Sequence, residues 1–164
     1  MFSGFSSGPP HSFSPTVGDL STLLQDPLAH RALDALVRAE TRVTRRLGHE
    51  LERRGLSPTA FAMLVVIESA GGELGLRALR QRLGLSKANA SEVTSALEQR
   101  GLIRRETDAR DRRALNIGVT PPGRALVEEL FPGHARRVRD TFTVLDDGEK
   151  RELARLCRKL ERAA

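Results

Sequence analysis

Side chains able to hydrogen-bond crowd one short stretch: Ser86, Lys87, Asn89, Ser91, Thr94 and Ser95. A little further on, Arg110, Arg112 and Arg113 alternate with Asp108 and Asp111. Short hydroxyls and amides followed by guanidinium groups suit the reading of hydrogen-bonding edges and phosphates rather than the breaking of bonds. No Gly-rich phosphate loop, Ser/His/Asp arrangement or pair of carboxylates occurs in a context that supports catalysis, so no enzyme is expected. His11, His30, His49 and His134 are scattered and share no ligand spacing with the lone cysteine. Neither a metal nor another cofactor is expected.

The elements that would position these groups follow from periodicity. Leu76, Leu79 and Leu83 mark a short helix, and Gly84 follows it, the usual residue just past a helix end. Ser86 then caps a longer helix whose Ala90, Val93 and Leu97 share one face. Lys87, Ala88, Ser91 and Ser95 point the other way, with Glu92 beside them and Asn89 nearer the buried flank. Two helices joined so tightly, the second showing small polar residues outward, predict a helix-turn-helix. Past Gly101 the period changes from 3.6 to 2: Leu102–Arg105 and Ala114–Val119 read as strands around the polar tip ETDARDRR. A helix-turn-helix followed by a hairpin is a winged helix.

The stretch LEQRGLIRR…DARDRRALNIGVTPPG resembles the multiple-antibiotic-resistance regulator (MarR) family of transcription factors. Asp108, Arg110, Asp111 and Arg113 reproduce an Asp-x-Arg-Asp-x-Arg pattern ahead of a strand and a Thr-Pro-x-Gly helix start, and the likeness extends more loosely over residues 27–163. It implies a mainly α fold with a small β-hairpin: a winged helix-turn-helix flanked by N- and C-terminal dimerisation helices. It also implies a homodimer that regulates transcription by binding double-stranded DNA at a pseudo-palindromic operator, as a repressor released by a small molecule. One tip arginine would enter the minor groove, braced by an Asp. Arg110 and Arg112 are the first candidates and Arg113 the next; internal Asp–Arg pairing of a surface hairpin is the alternative. Arg77 is either a phosphate contact or a solvated residue. The small-molecule site, commonly for aromatic or phenolic acids in the family, would draw on Arg42, Arg46, His49, Phe61 and Met63. Their alternative reading is salt-bridged surface and ordinary core. A winged helix used only for protein contacts is the rival function.

Composition is consistent with one basic domain. The chain has 164 residues, 27 Lys and Arg against 21 Asp and Glu, and a net charge of +6, which favours an anionic partner. With 39% hydrophobic residues but only 4% aromatics, Leu, Val and Ala must fill the core, and that suits helices. A lone cysteine, Cys157, excludes an intrachain disulfide and points to a reducing compartment. Its place among the leucines of the last helix predicts a buried, inert thiol. No apolar run approaches the roughly 18 residues of a membrane span. The N-terminus lacks a charged start followed by an apolar run, so a cytoplasmic protein is expected.

Outside the reader, residues 1–25 are rich in Ser, Gly and Pro and read as a flexible tail. Residues 26–164 form the single domain, with 57–119 as the DNA-binding part and 26–55 and 120–164 as dimerisation helices. Asp26-Pro27 and Ser57-Pro58 are helix starts, in which a capping side chain precedes a proline that needs no N–H. The first of these helices, about 28 residues long, would span roughly 42 Å, more than so small a domain covers alone. The second carries the run AFAMLVVI and should lie centrally, with Phe61, Leu64, Val65 and Ile67 buried. Glu73–Leu76 offers a short strand for the wing. Thr120-Pro121 opens a long helix that Pro132 and Gly133 should kink or break. Asp146 and Glu149 have capping-box spacing before a helix carrying Leu153, Leu156 and Leu160.

Overall fold

The computed structural model describes residues 26–107 and 114–163. The N-terminal tail and the hairpin tip with Asp108, Arg110, Asp111, Arg112 and Arg113 lie outside the described residues. The elements run α1 (Pro27–Arg53), α2 (Pro58–Ser69), β1 (Glu73–Gly75), α3 (Leu76–Leu83), α4 (Lys87–Gln99), β2 (Ile103–Thr107), β3 (Leu115–Val119), α5 (Pro121–Thr141) and α6 (Asp147–Glu161). This is a mainly helical winged helix-turn-helix with one small antiparallel sheet.

Two compact units divide inside α1, after Thr41. In the first, Asp26 caps α1 by accepting from the backbone N–H groups of Leu28 and Ala29, both at 3.0 Å. Leu28, Leu33, Leu36 and Val37 of this stretch are all exposed.

The second unit holds the core. α2 packs against α3, α4, α5 and the sheet. It is central because its apolar run leaves no polar face to turn outward. Phe61, Met63, Leu64 and Ile67 are buried with Leu51, Leu79, Leu97, Ile117 and Leu130. Val65, expected in the core, is only half-buried, because it falls on the flank of α2 between its packed neighbours. Strand order is β1-β3-β2. Glu73 pairs with Gly118 in one ladder and Arg104 with the same glycine in the other. Gly118 is where Arg104 folds across the sheet to Glu73, and a Cβ there would lie 2.7 Å from the guanidinium carbon.

The helix starts are local devices. Ser57 accepts from Ala60 N and Ser86 from Asn89 N, each at 3.1 Å. Asp146 and Glu149 form a reciprocal capping box at α6. Gly84 ends α3 in the left-handed region, φ 62°, a conformation that costs other residues about 1 kcal/mol or more.

Two expectations fail here. α5 continues unbroken through Pro132. That residue and Glu128, whose carbonyl it cannot pair, both face solvent, so the missing bond costs little burial. Cys157 is exposed rather than buried. The stripe of α6 that carries it, with Leu153, Leu156 and Leu160, is exposed among the described residues.

Candidate nucleic-acid interface

The turn between α3 and α4 is made by Gly84, by Leu85 N donating to Arg80 O at 3.0 Å, and by Arg80 Nε donating to Leu85 O at 3.4 Å. Ser86 then starts α4, its hydroxyl oxygen engaged by the cap. Lys87, Ala88, Asn89, Ser91 and Glu92 are exposed and Ser95 is half-buried, so a band of small and polar side chains covers one side of α4. Asn89 lies farther out than the wheel predicted, since the first turn of α4 projects beyond the core. Neither Lys87 nor Glu92 has an ion-pair partner among the described residues. The first turn of α4 contains no acidic side chain, so its positive dipole end is left uncompensated. Arg77 is exposed on α3 and lines a shallow cleft of about 300 Å³ with Arg80, Gln81, Gly84 and Leu85.

Thr94 does not belong to this band. Its side chain is completely buried, and its hydroxyl donates to Ala90 O at 2.7 Å and Ser91 O at 3.1 Å. A methyl-bearing hydroxyl that returns its proton to its own helix packs as a core residue. Thr94→Val should therefore leave DNA affinity within about threefold and cost no more than about 1 kcal/mol, the net worth of one hydrogen bond. Titrating a labelled duplex and recording urea unfolding check both halves; a tenfold loss of affinity at unchanged stability would return Thr94 to the reader.

Two arginines that sequence reasoning passed over anchor α4 at its far end. Arg100 donates to the carbonyls of Arg54 and Gly55, the latter through Nη1, so it caps the C-terminus of α1. Arg105, on β2, donates from Nε to Glu98 Oε2 at 2.6 Å and from Nη2 to Ser95 Oγ at 3.2 Å. That guanidinium, chiefly by its hydrogen bond, holds the Glu98 carboxyl below its ordinary range. Both residues lie far from their partners in sequence, and no periodicity marks such contacts. The arginine pair after Leu102-Ile103 was the only available hint.

The small-molecule candidates do not come together. Arg42, Arg46 and His49 are exposed on α1, while Met63 is completely buried and belongs to the core. Phe61, 1% exposed, does line an apolar groove of about 210 Å³ with Pro58, Ala62, Val65, Val66, Phe131 and His134. The His134 ring meets Phe61 edge-on, with centroids 5.1 Å apart. Its Nδ1 is buried and has no hydrogen-bond partner among the described residues. Burial, then the nearby Arg137 charge, pushes its pKa down, so a neutral imidazole is favoured at neutral pH.

Residues 54–114 match the sequence model of the MarR family. The chain is 31% identical over 148 residues to the uncharacterized HTH-type transcriptional regulator YwaE of Bacillus subtilis, covering 86% of each protein. It is 31% identical over 111 residues to the transcriptional repressor MprA of Escherichia coli, covering 67% of this chain and 63% of that one. Among solved structures, BpsR of Bordetella bronchiseptica superposes with a TM-score of 0.69 at 27% identity, over 79% of this chain and 98% of that one; its DNA binding is regulated by 6-hydroxynicotinic acid. Sco3205 of Streptomyces coelicolor, solved in complex with DNA, shares the fold with a TM-score of 0.75 at 22% identity, over 82% of this chain and 86% of that one.

Proposed function

This chain belongs to the MarR family of transcriptional regulators, and from that premise we propose that it is a homodimeric, sequence-specific binder of double-stranded DNA that acts as a repressor released by a small molecule. The observation that carries the reading is the exposed band of α4, where small side chains let the backbone approach base edges and Lys87 and the helix N-terminus attract phosphate. Arg77 and Ser86 flank it as phosphate contacts, and the tip arginines Arg110, Arg112 and Arg113 reach the adjacent minor groove. Two such helices about 34–36 Å apart would match one DNA turn and a pseudo-palindrome. The exposed leucines of α6, and independently those of the start of α1, support dimerisation through these helices, since neither stripe is covered by the described residues.

The groove beside His134 and Phe61 is the better candidate for the releasing ligand: its apolar walls and its unpartnered ring nitrogen suit an aromatic or phenolic molecule. The name of MprA, a repressor, favours repression, and that of BpsR, whose DNA binding is regulated by 6-hydroxynicotinic acid, favours control by a small molecule. Release requires that the ligand bind the DNA-free spacing of the readers more tightly than the bound one.

Selection of bound fragments from the source genome, followed by affinity measurements across salt concentrations, tests the reading. A symmetric site and a steep fall of affinity with salt are expected. Arg110→Ala combined with Arg112→Ala should weaken operator binding about tenfold and flatten the salt slope, with helical content and dimerisation unchanged. Affinity that is indifferent to salt and to sequence would favour the rival, a winged helix that binds only protein.

A further inference from the structure

The link between Arg105 and Ser95 has a consequence for what α4 can read. A serine hydroxyl has one proton to give and two lone pairs to receive with. In helices that proton commonly returns to the carbonyl four residues back. For Ser95 this carbonyl is Ser91 O, which takes the helical N–H of Ser95 and also the hydroxyl of Thr94 at 3.1 Å. That carbonyl is therefore already shared, although the single Thr94 proton goes chiefly to Ala90 O at 2.7 Å. From the other side, Arg105 Nη2 donates to Ser95 Oγ at 3.2 Å and takes up an acceptor position there. Arginine has no acceptor to offer in return. The Ser95 proton cannot point into the guanidinium, one lone pair stays free, and Ser95 sits half-buried on the outward band of α4.

We propose that Arg105 is a positioning residue for DNA recognition: braced by Glu98, it fixes β2 of the wing to α4 and holds the Ser95 hydroxyl with its proton turned away from the guanidinium and available to the duplex. This rests on the reading of α4 as the groove-facing helix. A hydroxyl held this way can donate to a phosphate oxygen, or to the purine N7, guanine O6 and thymine O4 acceptors of the major groove. Glu98 completes the arrangement, because its carboxylate accepts from Arg105 Nε at 2.6 Å and fixes the direction of the fork. The guanidinium acts through Ser95 and need not touch DNA.

The test is a double-mutant cycle on the full-length protein, with a selected operator duplex and a mixed-sequence duplex of equal length as probes. Ser95→Ala and Arg105→Gln should each weaken operator binding about tenfold, and the double variant little more than either one. The salt slope should not change for Arg105→Gln, since no phosphate contact is lost. Arg105→Lys, which keeps the charge but not the fork, should behave like Arg105→Gln. Glu98→Ala cuts the same link from α4 and should reproduce most of the loss, which covers the case in which Arg105→Gln folds poorly. Independent, multiplying effects of Ser95→Ala and Arg105→Gln would overturn the proposal. So would full rescue by Arg105→Lys or a shallower salt slope, either of which would make Arg105 a plain charge near phosphate. If Ser95→Ala binds normally while substitution of the tip arginines still weakens binding, the proposal fails and the DNA reading stands. If no variant alters binding to either duplex, the DNA reading itself fails.

Discussion

Gly123→Ala is expected to lower the melting midpoint by about 6–12 °C, equivalent to roughly 3 kcal/mol in a protein of this size. A Cβ at that position would lie 2.1 Å from the Leu102 carbonyl oxygen and 2.9 Å from a methyl carbon of Val119. The first of these is main chain and cannot rotate away. The same turn is also pinned in place: Thr120 N donates to Leu102 O at 3.1 Å, and Thr120 Oγ1 donates to Gly101 O at 2.6 Å while accepting from Gly123 N. α5 therefore starts in direct contact with the turn that leaves α4 and enters β2. Adding the methyl must push the two apart, and overpacking of this kind costs 1–3 kcal/mol or more. Helix propensity opposes the effect by about 1 kcal/mol in favour of Ala, and the clash outweighs it. Gly133→Ala on the same helix is the control. Its Cβ would meet the ends of the Arg137 and Glu50 side chains, at 3.4 and 3.8 Å, and no backbone atom, so a small gain in stability is expected. Thermal unfolding at one fixed protein concentration compares them, since dimerisation would shift both. A Gly123→Ala midpoint within 2 °C of the parent would refute the close approach.

What was legible in the chain and what was not divides by distance along it. Asp26, Ser57, Ser86, Thr120 and Asp146 announce helix starts because a cap and the N–H it satisfies lie within three residues. The short strand at Glu73 could be read because Gly71-Gly72 ends one helix and the leucine period begins another just beyond it. Thr94 counts as a reader only by its hydroxyl; it stands four residues after Ala90 and three before Leu97, on the buried face, where its methyl and self-satisfied hydroxyl let it pack as a valine would. Cys157 was misread for a different reason. A leucine stripe announces burial, but not which molecule supplies it. Arg100 and Arg105 are long-range partners, reaching 45 residues to Gly55 in one case and 10 to Ser95 in the other. In sequence they look like any exposed arginine. The outward placement of Lys87, Ala88 and Ser91 on α4 was thus legible in the sequence, that of Asn89 and Thr94 was not, and the supports that aim the helix had to be seen folded.

Ala88→Glu should reduce operator affinity about a hundredfold or more while leaving the fold at least as stable. Ala88 is the second residue of α4 and is exposed beside Lys87. A carboxylate in the first turn of a helix interacts favourably with its dipole, by roughly 0.3–1 kcal/mol, and no acidic residue now occupies that turn. Stability should therefore hold or rise slightly. Against DNA the same charge acts in the opposite direction. It opposes Lys87, cancels the positive helix end and inserts bulk where backbone must approach base edges. A loss of about tenfold per reading helix multiplies to a hundredfold for a dimer engaging two half-sites. The opposed signs make the test decisive, because a merely misfolded variant cannot lose affinity while keeping or gaining stability. Operator binding within threefold of the parent, with unfolding unchanged, would mean that this face of α4 does not meet the duplex, and a protein partner would then be the one to seek.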